Sequence, residues 1–134
     1  EFLNDLYKEM SKLPEKKLII STPNVANIFI RLMLLLGNFN YGRRGILDKT
    51  HTRLFTLKTF KNLIVEQNFE IEEEHSIPPP FPLAIENRMI SNSLLYIFKK
   101  LNFFFKTLFA FQFLLVVQSK PSLDFLIQNA EIKK

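Results

Sequence analysis

The sequence contains no cysteine and no tryptophan, and only 3 glycines and 2 histidines among its 134 residues. Without cysteine there is no disulfide framework, no thiolate metal site and no thiol redox chemistry, and the chain suits a reducing compartment. Two histidines far apart leave no ligand set for a metal. Gly37, Gly42 and Gly45 all fall in one stretch, and none follows an apolar run to open a helix, so the chain offers no glycine-rich phosphate cradle. Long hydrophobic runs are missing as well. Val25 to Leu36 is broken by Arg31 and Leu108 to Val117 by Gln112, and neither reaches the roughly 18 residues that cross a bilayer. Glu1, Asp5 and Glu9 stand where a secretory signal would be basic, which leads to the expectation of a cytoplasmic protein.

What remains is enough for a packed domain. Hydrophobic residues make up 47% of the chain and phenylalanine occurs 15 times, which excludes intrinsic disorder. Lys and Arg number 18 against 13 acidic residues, a formal net charge of +5 without a basic stripe. No nucleic-acid partner is expected from that distribution.

Along the chain, Phe2, Leu6 and Met10 share a helical stripe with Leu3 and Tyr7 beside it, and Pro14 should stop that helix. Lys17 to Ser21 is short and apolar on both faces, as a central strand would be, and Pro23 closes it. Asn24 is the expected cap of a helix from Val25 to about Leu36, ended by Gly37 and Asn38. Residues 37 to 55 fit no period and read as a loop. Thr56 is placed to cap a helix from Leu57, with Phe55 and Phe60 in the two positions of a hydrophobic staple, and Asn68 suits its left-handed end. An acidic strand with Phe69 and Ile71 inward follows, its charge fitting a sheet edge. A helix is expected from Ile85 to about Phe105, with Met89, Ile90, Leu94, Phe98, Leu101 and Phe105 on one face. Phe109 to Gln118 reads as a strand buried on both faces, and a short tail follows. Helices alternating with strands predict an α/β sheet covered on both faces.

Several of these stretches resemble one family. LIISTPN (Leu18 to Asn24), LGNFNYGRRGILDKTHTRLFT (Leu36 to Thr56), QNFEIEEEHSIPPPF and FAFQFLLVV are similar to the C-terminal half of a class I S-adenosylmethionine-dependent methyltransferase. The most specific part is G-I-L-D-x-T-H-x-R-L-F-T, Gly45 to Thr56, which resembles a G-I-x-D-x-T-H-x-R-F-F-T signature of one bacterial and archaeal subset. The resemblance implies a Rossmann-like seven-stranded sheet, of which residues 1–120 would supply strands five, six and seven, the seventh running antiparallel between the other two, with 121–134 a C-terminal tail. The family's Lys-Pro-Gly-Gly turn is replaced by Leu13-Pro14-Glu15-Lys16-Lys17, and its G-x-G-x-G cofactor turn has no counterpart. S-adenosylmethionine would therefore be bound mainly by an N-terminal half, or a partner chain, beyond these residues, while this chain would serve a small-molecule acceptor.

Methyl transfer needs an aligned nucleophile and, for some acceptors, a base. Ligands of open α/β sheets sit beyond the carboxyl ends of the strands, which puts Thr22, Asn24 and the loop in reach. His51 is the candidate base, since an imidazole accepts protons near neutral pH. Tyr41, Asp48 and Arg53 are candidate substrate contacts, with Arg43 and Arg44 able to meet an anion. The competing reading has Asp48, His51 and Arg53 holding the loop in shape, with Asp48 and Arg53 as an ion pair. A non-catalytic binding or scaffold module derived from a truncated methyltransferase is the alternative to an enzyme. His75 is expected at the surface. Phe103 to Phe105 is most simply core, and membrane contact is not expected; the alternative is a lid or membrane-surface patch flanked by Lys99, Lys100 and Lys106.

Overall fold

The computed structural model describes residues 2–13, 15–123 and 125–127; the expected stop at Pro14 lies outside them. The chain forms α1 (Phe2–Met10), β1 (Lys17–Pro23), α2 (Ile28–Leu35), α3 (Leu57–Glu66), β2 (Phe69–Ile77), α4 (Phe81–Ala84), α5 (Arg88–Phe104), α6 (Lys106–Phe109) and β3 (Gln112–Ser119). It is a mixed α/β structure whose three strands form one sheet in the order β1-β3-β2. Asn24, just past β1, donates its N–H to Phe111, just ahead of β3. Phe111 in turn donates to Ile77 at the end of β2, and Lys120 donates to Asn68 at its start. Both β1 and β2 therefore run against β3 and share one direction.

Apolar residues at nearly every position made β3 the natural centre of the sheet, and it lies there. Phe113, Leu115 and Val117 are fully buried, and the residues between them are half-buried. Its boundaries differ from the expectation, because Phe109 belongs to the short helix α6 and the strand starts only at Gln112. Lys17 to Ser21, apolar on both faces and expected to find a neighbour on one edge alone within this chain, pairs with β3 in this sheet. β1 lies at its margin and Ile19 is 65% exposed. An apolar residue on each face indicates burial only where a second layer and two neighbours are supplied.

The chain divides into two compact units. The first comprises Glu1–Ile20, Phe60–Glu74 and Leu115–Lys134. Here Leu3, Leu6, Tyr7 and Met10 of α1 are half-buried and Phe2 is 75% exposed, so the covered stripe leaves out Phe2, against expectation. Tyr7 meets Phe69 edge to face at 5.8 Å, and the Ser119 hydroxyl donates to the Met10 carbonyl at 2.8 Å, which seats α1 on one face of the sheet. Phe60 and Ile64 of α3 are buried, and Asn68 adopts φ 62° after the helix, as its place predicted. The acidic strand is more than a solvated edge. Glu72 pairs with Lys17, and Glu74 with Lys61 at 2.9 Å. The hydrogen bond to Glu72, together with its charge, holds the Lys17 ammonium above its ordinary pKa.

The second unit comprises Ser21–Thr59 and His75–Leu114. Its helix α2 is shorter than expected, starts at Ile28 and is capped by Asn27, whose Oδ1 accepts from Phe29 N at 3.0 Å. Asn24 is thus not the cap. The helix ends as foreseen: Gly37 takes φ 74°, and Asn38 N bonds Met33 O at 2.8 Å while Gly37 N bonds Leu34 O at 2.9 Å. That pair of bonds is the Schellman closure. Thr56 and Thr59 exchange backbone and hydroxyl hydrogen bonds ahead of α3, a reciprocal cap built from two threonines. Helix α5 begins at Arg88, capped by Asn87, rather than at Ile85. Its inward residues include Ser91 and Asn102, while Met89, Ile90 and Phe105 are 82%, 53% and 60% exposed, against expectation. Asn102 explains part of that rotation, because its amide donates to the Ser76 carbonyl at 3.0 Å and thereby ties α5 to β2. Phe103 and Phe104 are 82% and 73% exposed and do not form core.

Candidate functional site

The loop between α2 and α3 is held by its own backbone. Gly42 N donates to Leu47 O at 2.8 Å and Lys49 N to Gly42 O at 3.2 Å, around an isolated bridge between Gly42 and Asp48. Gly45 takes φ 104°, a conformation that side-chain-bearing residues rarely adopt. The turn at Gly45 is followed by Ile46 and Leu47, which are buried against Ile30, with Val25, Leu54 and Phe111 packed around them. The far end of the loop is stitched to the end of β1, where Val25 N donates to Phe55 O at 3.0 Å. An irregular segment is thereby anchored at its tip by apolar side chains and at its base by a strand-like contact.

Asp48 and His51 sit inside this frame. The Asp48 carboxylate accepts from Thr50 N and from the Thr50 hydroxyl, each at 2.8 Å. The backbone bond from Thr50, then the hydroxyl bond, and to a smaller degree the neighbouring His51 hold the Asp48 carboxyl below its ordinary pKa. His51 N closes the turn on Asp48 O at 3.1 Å. The His51 ring is half-buried, and its Nδ1 lies 3.1 Å from Ile46 O. A carbonyl oxygen only accepts, so Nδ1 carries the proton and the neutral ring keeps its lone pair on Nε2. Nε2 has no partner among the described residues.

The remaining expected contacts divide. Arg53 is exposed and makes no ion pair among the described residues, so the expected pair with Asp48 is absent there. Tyr41 is 45% exposed and stands edge to face with Phe39 at 5.5 Å. Thr22 is buried on β1. Asn24 is fully buried and fully used: Nδ2 donates to Ala110 O at 2.9 Å and to Thr107 O at 3.0 Å, while Oδ1 accepts from Ala26 N at 3.0 Å. Every polar atom of that amide is spent on the fold. Asn27 carried no expectation, yet it is equally buried and donates to the same Ala110 carbonyl at 2.8 Å. The signal was the pair of asparagines three apart after Pro23, either of which could have been the cap.

Among the described residues no cluster of three or more His, Asp or Glu side chains could hold a metal. None of the glycines makes a strand-to-helix turn: Gly37 closes α2, and Gly42 and Gly45 lie in the loop. The described residues thus contain no glycine turn of the strand-to-helix kind that the resemblance assigns to the cofactor. No family model matches the sequence, and a search of curated proteins finds no match.

Proposed function

We propose that this chain is the acceptor side of a Rossmann-like, S-adenosylmethionine-dependent methyltransferase acting on a small molecule. One observation carries the reading: β3 runs antiparallel between two strands of common direction, and the G-I-L-D-K-T-H-T-R-L-F-T loop leaves by way of α2 from the carboxyl end of β1. That is the strand order the resemblance implies. Nothing among the described residues holds the cofactor, so its donor half belongs to residues or a partner chain beyond these.

Within this reading His51 is the base. Its Nδ1–H bond to Ile46 aims the ring and leaves Nε2 to take a proton from a hydroxyl or amine acceptor. Asp48 serves as a positioning residue, since it shapes the turn that carries His51. Arg53, without an ion pair among the described residues, suits an acceptor bearing a carboxylate or phosphate, and Tyr41 supplies an aromatic wall with a hydroxyl. The second reading, a non-catalytic binding or scaffold module, draws on Asn24, whose amide is committed to the fold.

The test is made on the full gene product carrying this chain. Calorimetric titration with S-adenosylmethionine should show binding, and labelled methyl transfer to a panel of small acids and phosphates should fall by about 100-fold in His51→Gln with cofactor affinity retained. A cooperatively folded product with no cofactor affinity would leave the scaffold reading standing.

A further inference from the structure

Helix α5 is held in the second unit by Phe98. Its ring meets Phe29 at 5.9 Å, Phe81 at 4.8 Å and Phe109 at 5.7 Å. One turn further on the pattern reverses. Phe103, Phe104 and Phe105 are 82%, 73% and 60% exposed, at the break where α5 ends and α6 begins. Three consecutive bare phenylalanines are costly in water unless something covers them.

Their surroundings are basic. Between Glu86 and the end of this segment of the second unit at Leu114 the chain has no acidic residue, yet it carries Arg88, Lys99, Lys100 and Lys106. Tyr96, Lys99, Lys100, Phe103 and Phe104 line an open groove of about 490 Å³. The Lys100 ammonium lies 4.7 Å from the centre of the Tyr96 ring, and Lys99 has no ion pair among the described residues. We propose that Phe103, Phe104 and Phe105, with Lys99 and Lys100, dock this protein on an anionic lipid surface. Phenyl rings enter the boundary between headgroups and acyl chains, while lysines lay their stems along it and reach the phosphates. The charge decides against a second copy of the chain, which would bring the same lysines against these. It is a reading independent of the acceptor site. The rings of Phe103 and Phe104 stand edge to face, 5.3 Å apart at 88°, so they offer no parallel platform for successive nucleic-acid bases.

Vesicle flotation tests the surface, with phosphatidylcholine alone and with added phosphatidylserine. The protein should float with the anionic vesicles, less so as salt rises, and Lys99→Glu with Lys100→Glu should cut partitioning by about tenfold or more. Phe103→Ser with Phe104→Ser should also abolish it, with an unchanged far-UV spectrum because both side chains are already in water. As the chain has no tryptophan, Phe104→Trp makes a single reporter whose emission should shift to the blue on anionic vesicles. Failure to float, partitioning indifferent to these substitutions, an unshifted reporter, or tighter binding to single-stranded RNA or to a second copy would overturn the proposal.

Discussion

Asn27 Nδ2 donates to the carbonyl oxygen of Ala110 at 2.8 Å, although 83 residues separate the two along the chain. Asn24 reaches the same oxygen at 2.9 Å. This shared acceptor fastens the segment before α2 to the turn before β3, and so fixes where the candidate loop departs from the sheet. Asn27 also caps α2, which gives a single buried amide two structural duties.

Replacing Asn27 removes both. Loss of a cap costs about 1 kcal/mol and loss of one buried hydrogen bond about 0.5–1.5 kcal/mol, Asn24 still donating to the Ala110 oxygen, so Asn27→Ala should destabilise the fold by about 1.5–2.5 kcal/mol in urea unfolding. Asn27→Ser, which retains a cap acceptor but lacks the reach to Ala110, should cost less. Equal losses for the two variants would mean that the cap contributes nothing beyond the bond to Ala110.

Acid should loosen the loop through Asp48. Its carboxyl sits below the ordinary value of 3.8, chiefly through the Thr50 N–H and then the Thr50 hydroxyl. A lowered native pKa stabilises the folded state at pH values above the ordinary one, and the contribution disappears as pH falls through the native value. A carbon-detected NMR titration should give Asp48 a midpoint under 3.8 in the native protein. In Thr50→Val the midpoint should rise but stop short of the ordinary value, because the stronger backbone bond survives. A midpoint that Thr50→Val leaves in place would show that the hydroxyl bond is not formed in solution.

Phenylalanines in this protein should fall into two classes. Phe113 is fully buried and Phe103 is 82% exposed. Phe113→Ala should cost about 3–5 kcal/mol, whereas Phe103→Ala should stay within about 0.5 kcal/mol. Thermal or urea melts of the two variants check the contrast, and a comparable loss at both positions would contradict the exposure of Phe103.

Local signals were legible where a few neighbouring residues decide the outcome. Gly37 and Asn68 mark the ends of α2 and α3, because a left-handed residue is cheapest as glycine or asparagine, and Thr56 caps α3 through Thr59, three residues on. Asn24 and Asn27 were not separable in that way. Both have the side chain of a good cap, and the choice fell to the position of Ala110, which the strand pairing brings in. The rotation of α5 was likewise hidden. Its pattern of apolar residues pointed Met89 and Phe105 inward with Leu94, Phe98 and Leu101; the last three are half-buried, but the bond from Asn102 to Ser76 turns the inward face toward Ser91 and Asn102 and leaves Met89 and Phe105 exposed.

For the candidate site, the sequence singled out the loop and its chemical groups, His51 above all, because residue type and spacing are properties of the chain itself. Which of those groups remain available was settled only by the fold. Asn24 is consumed by Ala110, Thr107 and Ala26, Asp48 gives one of its two oxygens to Thr50, and Nε2 of His51 and the Arg53 guanidinium are left over among the described residues. Turns and caps are decided over three or four residues, where propensity dominates. A polar atom's partner can lie more than eighty residues away, and only closure of the sheet determines which donor meets which acceptor.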